Sequence, residues 1–154
     1  MHTPIARLAL AALAVTLATT AAAEMKPEEQ IKTRQAGYTF MSWNMGKIKA
    51  NLGGDYNAKQ VEAAANAIAG IANSGMGALF GPGTDQSIGD VKTAVKPAFF
   101  KEQDNVGKLA KDYVAAANTL QKVAATGDQA AVKQAFGDLG AACKACHDKY
   151  RQDD

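Results

Sequence analysis

The chain has 154 residues, room for one domain and too few for a comfortable two. Hydrophobic residues make up 47% and charged residues 21%, a globular composition and not a disordered one. A net charge of +2 and an aromatic content of 6% argue against an electrostatically driven nucleic-acid binder or a base-stacking surface.

Residues 1–23 read as a secretory signal peptide. A short start carries Arg7, an apolar run extends from Leu8 to Leu17, and small residues fill Thr19 to Ala23. The run is too short to span a bilayer comfortably. Cleavage falls after Ala22 or Ala23 and leaves residues 24–154 as one domain of charge +1. No later apolar segment reaches spanning length, so the expectation is a bacterial periplasmic protein with no membrane insertion.

The first helix is predicted over Pro27 to Leu52, with Pro at its first position and Glu28 and Glu29 in its first turn. Ile31, Arg34, Tyr38, Met41, Met45, Ile48 and Leu52 form a heptad seam facing inward. Gly53 and Gly54 end it. Asn57, with Gln60 three residues on, starts a second helix of capping-box type. That helix carries Val61, Ala64, Ile68 and Ile71 on one face and stops at Asn73-Ser74-Gly75. Ser74 to Lys96 is a long connection rich in Gly and turn residues, which suggests a functional or covering loop. Pro97 opens a third helix with Phe99, Val106, Ala110, Tyr113, Ala117, Leu120 and Ala124 at helical spacing. Asp128 caps a fourth, carrying Val132, Phe136, Leu139, Cys143, Cys146 and Tyr150. No segment alternates with period two. The expected fold is all-α, an antiparallel up-down-up-down four-helix bundle.

Cys143-Lys144-Ala145-Cys146-His147 is a C-x-x-C-H sequence, the signature for covalent attachment of haem c. Two thiols three residues apart lie on one helical face and can add to the two haem vinyl groups. The adjacent His147 is then the proximal iron ligand. A thioredoxin-type pair should follow a strand and open a helix, whereas this pair closes the last helix. Zinc wants four ligands, and His147 is the only histidine outside the leader. A disulfide across two residues would close a tiny loop and stabilise little.

The motif lies at the C-terminus, so any sixth ligand comes from upstream. His2 belongs to the leader, which leaves Met25, Met41, Met45, Met76 or no ligand. Pairing the first and fourth helices end to end places Arg34 and Tyr38 roughly 3 and 9 Å from the level of His147, and Met41 roughly 13 Å away. Arg34 is either a partner for a haem propionate or an arginine that snorkels outward. Tyr38 is either the side chain over the empty iron face or ordinary aromatic packing. Gly37 beside it either admits a close neighbour or is incidental. Phe40 and Trp43 fall away from the seam, three residues apart on one face, and suggest an interface.

These features resemble a cytochrome c', across essentially the whole mature chain. The resemblance rests on the stretch from Gly137 to Arg151, on Arg34-Gln35 and on Phe80-Gly81-Pro82-Gly83-Thr84. The run from Tyr38 to Lys47 is particularly similar to members from purple sulfur bacteria. The resemblance implies one covalently attached haem c per chain, five-coordinate and high-spin, with His147 as the sole axial protein ligand. It implies Tyr38 at the distal position, where other members have Leu, Phe or Met. It further implies Arg34 and Gln35 at the haem edge near a propionate and Arg151 on the proximal face. It implies NO and CO as ligands, with NO binding or detoxification as the role, and a homodimer joined through the first two helices. A periplasmic electron-transfer cytochrome with an unknown redox partner is the alternative. The lack of a distal histidine base disfavours an enzyme such as a peroxidase.

Overall fold

The computed structural model describes residues 25–152; the expected signal peptide and its cleavage site lie outside the described residues. Five helices follow in order: α1 (Pro27–Gly53), α2 (Ala58–Ala72), α3 (Ala98–Lys101), α4 (Gln103–Ala124) and α5 (Gln129–Tyr150). A 3-10 turn, Met76–Leu79, opens the long loop. The four long helices form the expected bundle. α1 packs on α2, α2 on α4 and α4 on α5, whereas α1 and α5 scarcely touch. The bundle is therefore tight on three sides and parted on the fourth.

Alanine makes the tight side possible. Ala64, Ala65 and Ala117 are fully buried beside Ile48, Val61, Ile68, Leu120 and Val132. A methyl side chain lets two helix backbones approach closely, and the larger aliphatic residues fill the gaps between them. Among the described residues no helix is long and apolar enough to cross a membrane.

Three expectations change in detail. The seam of α1 drifts by one residue: Ile31, Arg34, Met41 and Ile48 are buried as expected, but Asn44 and Asn51 join them. Met45 and Leu52 are half-buried at the flank, and Tyr38 keeps 41% of its surface exposed. Both asparagines satisfy themselves by bonding a carbonyl one turn back, Asn44 to Phe40 and Asn51 to Lys47. They can thus be buried, and Asn51 also donates to Gln60 of α2. Second, the helix expected from Pro97 breaks at Glu102, which has φ −114° and ψ 48°, and α3 is a separate single turn. Third, Ala110 faces solvent.

The helix starts follow the sequence closely. Asn57 accepts a hydrogen bond from the Gln60 amide and Asp128 accepts from Ala130 and Ala131. The Asn57 amide in turn donates to the Asn51 side-chain oxygen, which takes the place the capping box would give to Gln60.

The long loop is strapped at both ends. On α1, buried Gln30 accepts from the Gly81 amide at 3.0 Å, and Gln35 donates to the Lys92 carbonyl at 2.6 Å. At the far end Val95 bridges to Arg151, with Lys96 donating to the Tyr150 carbonyl and Gln152 donating to that of Ala94. One covering segment thus ties the N-terminal half of α1 to the C-terminal turn of α5.

Candidate cofactor site

Cys143 and Cys146 lie on the penultimate turns of α5, half-buried and not joined to each other. Burial pushes both thiols above their ordinary pKa, and for Cys143 the neighbouring Cys146 adds to the rise. The C-x-x-C spacing in a helix puts the sulfurs on one face, and the face they share looks toward α1. His147 follows directly. Its imidazole is held below its ordinary value, first by desolvation, then by Arg151, with Asp148 opposing. Both lowering effects favour the neutral ring, the form in which an imidazole ligates a metal.

Across the parted side stands Tyr38. Desolvation first, then Cys146, raise its phenol above the ordinary value; Arg34 lowers it and Cys143 raises it. The hydroxyl end of Tyr38 is therefore within electrostatic reach of both thiols, although part of the ring remains open to solvent. Tyr113 of α4 closes the inner wall. Its hydroxyl donates to the Met41 sulfur at 3.1 Å. Burial, then Tyr38, then Cys143 push its phenol well above the ordinary range. Met41 is thus engaged in the core. Met45 packs against the core cluster, and Met76 lies over Gly37, where a Cβ would come within 2.9 Å of its methyl carbon.

Arg34 is only 3% exposed. Its two terminal nitrogens donate four hydrogen bonds: to the Leu79 carbonyl, the Thr84 hydroxyl and carbonyl, and the Thr93 hydroxyl, all between 2.7 and 3.0 Å. The guanidinium also lies 4.4 Å from the Phe80 ring centroid. Burial lowers its pKa, and Tyr38 is the one group that opposes. No carboxylate pairs with it among the described residues. A buried cation without a counter-charge fits an acidic group at the rim of the site.

The sequence-predicted residues thus gather, with distinct roles. Tyr38 of α1 lies within electrostatic reach of Cys143 and Cys146 on α5, His147 follows them on the same helix, and Arg151 sits one turn beyond His147. Arg34 and Gln35 reach the loop instead of projecting freely. Thr84, Thr93 and Tyr113 belong to the site's frame; Tyr113 was visible only as one of the helically spaced residues of the third helix, and Thr93 carries no sequence signal. Thr84 stands in the Phe80–Thr84 run, the one hint to its place. Among the described residues no three His, Cys, Asp or Glu side chains gather as a metal-holding group, so the two thiols and one imidazole do not suit a self-contained zinc site. They do fit haem c: two reduced thiols on one face, an adjacent neutral imidazole and a buried cation lacking its anion.

The chain is similar to known haem proteins in sequence and in fold. The family model for cytochrome c' matches residues 29–151. A cytochrome c' of Allochromatium vinosum is 68% identical over 148 residues, covering 96% of each chain. A solved cytochrome c' with an unusual ligand-controlled dimer dissociation is 72% identical, with a TM-score of 0.82 over 83% of this chain and 98% of its own. Variants of the Alcaligenes xylosoxidans cytochrome c', solved with carbon monoxide and with nitric oxide, are 30% identical, with a TM-score of 0.73 over 83% of this chain and 98% of theirs. With a family match over residues 29–151 and a relative 68% identical over nearly its whole length, the chain belongs to the cytochrome c' family.

Proposed function

We propose that this chain is a periplasmic haem c protein that takes up NO and CO and serves to bind or detoxify NO. Cys143 and Cys146 would hold one haem per chain, His147 would be the protein's ligand to its iron, and Tyr38 would guard the ligand site. Bound haem c supplies an iron able to take small diatomic ligands. The observation that carries the reading is the position of Tyr38, whose hydroxyl end reaches the neighbourhood of both thiols across the parted side of the bundle.

Each residue then has a physical task. Neutral His147 presents a nitrogen lone pair from the turn that also carries the thiols. Tyr38 fills the opposite face, so an entering ligand must first displace it. The cost of that displacement favours ligands that bind strongly. Met41, the methionine nearest Tyr38 in sequence, is held by Tyr113 and does not compete for the site. Arg34, buried and anchored by the loop, would supply positive charge beside the site, and Gln35 and Arg151 would lie at its edges. No distal histidine stands ready to act as a base, which separates this site from peroxidase-type chemistry.

The test is an optical spectrum of the ferrous protein before and after NO. A five-coordinate high-spin spectrum that NO converts supports the reading. A six-coordinate low-spin spectrum unchanged by NO would support electron transfer instead. Tyr38→Ala should raise CO affinity and association rate, because the guard no longer has to move; unchanged CO binding would reduce Tyr38 to packing. The leader is tested by the mature N-terminus, expected after Ala22 or Ala23. The proposed assembly is a homodimer through α1 and α2, with Phe40 and Trp43 at the contact.

A further inference from the structure

Metal-binding histidines are usually oriented by a hydrogen bond to the second ring nitrogen. Among the described residues no hydrogen bond holds the His147 ring; only Arg151 and Asp148 act on it through space. Its direction is therefore set by the backbone of the last turn of α5. Tyr150, three residues on, fixes that turn. It is 2% exposed, and its phenol oxygen both donates to a Glu102 carboxylate oxygen at 2.8 Å and accepts from the Asn105 amide at 2.7 Å. The Phe99 ring meets the Tyr150 ring edge-on, with centroids 5.9 Å apart, and the Tyr150 carbonyl accepts from Lys96 at 2.8 Å. The residue is held at both its side-chain and its backbone end.

The break at Glu102 belongs to the same device. Lys101, Glu102 and Gln103 are good helix formers, and no Gly or Pro stands there to end a helix. Local preference would carry one helix from Pro97 to Ala124. The chain instead leaves the helical region at Glu102 alone, and the carboxylate of that residue gathers the Tyr150 hydroxyl and the Lys149 ammonium. The tertiary clamp offsets the cost of the break.

We propose that Glu102, Asn105 and Tyr150 are positioning residues that fix the rotation of the last turn of α5 and thereby aim His147. This rests on the reading that His147 binds the iron. A side chain stands about 5–6 Å from its helix axis, so a 10° rotation of the turn moves the imidazole by about 1 Å. Ligand geometry tolerates only about half of that.

The test is resonance Raman spectroscopy of the ferrous holoprotein, read at the iron–histidine stretch, with far-ultraviolet circular dichroism reporting helix content. Tyr150→Phe keeps the ring and its packing but removes both hydroxyl bonds. Glu102→Ala removes the acceptor from the other side. Glu102→Gln keeps an acceptor oxygen. The band should shift and broaden in Tyr150→Phe and in Glu102→Ala, and return close to its original position in Glu102→Gln. A wild-type band that stays unmoved in Tyr150→Phe and Glu102→Ala overturns the clamp, even where melting temperature falls. A wild-type protein with no such band overturns the coordination on which the clamp rests.

Discussion

Gly81 and Gly37 both lie under a side chain, yet they should respond differently to substitution. A Cβ at Gly81 would stand 2.7 Å from the Gln30 amide oxygen, and Gln30 is fixed by bonds to the Gly81 amide and the Met25 carbonyl. Gly81→Ala should break that arrangement and cost about 1–3 kcal/mol, the penalty of leaving a buried amide unpaired. At Gly37 the neighbour is the flexible end of Met76. The Met76 methyl can turn away, and alanine gains about 1 kcal/mol of helix propensity. Gly37→Ala should therefore be neutral to stabilising, and denaturation midpoints of the two variants decide the order. The phenols offer a second check. Tyr38, Tyr56 and Tyr113 all ionise above the ordinary value of 10.0, first because of burial. The folded chain keeps these groups neutral where the unfolded chain ionises them. Their stabilisation is complete below pH about 10 and is lost as pH rises beyond it. Tyr113→Phe should flatten the alkaline loss of stability, measured by denaturant midpoint against pH. Residues whose role is local were legible in the sequence: Cys143, Cys146 and His147 are defined by spacing alone. Arg34 was visible as a charge on an apolar seam, but its partners lie 45 to 59 residues away and no periodicity marks them.

Elements were legible where local preference and packing agree. The caps at Asn57 and Asp128 fall where the sequence puts them. The break between α3 and α4 is invisible locally because its cause is Tyr150, 48 residues further on. The drift of the α1 seam to Asn44 and Asn51 was missed for a related reason: a buried asparagine bonded to its own helix counts as polar in any hydrophobic pattern. The loop strap is the element whose stability most depends on one residue. Arg34 supplies four bonds from a planar fork that a lysine ammonium cannot reproduce. Arg34→Lys should cost about 2–4 kcal/mol, since it strands loop carbonyls and keeps a buried charge. Limited proteolysis should then cut between residues 76 and 93 faster than in the parent, and equal rates would show that the loop is held by other contacts.

The whole molecule is firm on the α1–α2–α4–α5 path and parted between α5 and α1, and this has a consequence for assembly. Phe40 and Trp43 are 51% and 58% exposed, their rings 5.5 Å apart, with the Lys47 ammonium 4.0 Å from the Trp43 centroid. Paired aromatics of this size on an outer face suit a dimer contact, where one such residue carries much of the binding energy. Trp43→Ala should weaken the proposed dimer by about 2 kcal/mol, roughly 30-fold in Kd. On the same helix, two residues before Phe40, stands Tyr38. The C-terminal half of α1 is locked into the core by Met41, Asn44, Ile48 and Asn51, whereas the N-terminal half leans on the loop strap. A ligand that displaces Tyr38 therefore strains the stretch of α1 between strap and core, which holds Phe40 and ends one turn before Trp43. Ligand entry should loosen the dimer, and by reciprocity the dimer should bind CO more weakly than the monomer by the same factor. Sedimentation of the ferrous protein over a concentration series, with and without CO, measures both. A monomer in both states would remove the interface. A dimer of equal Kd in both would leave the interface standing and remove the coupling, and Tyr38→Ala, which has no guard to displace, should give that equal-Kd result even when the parent does not.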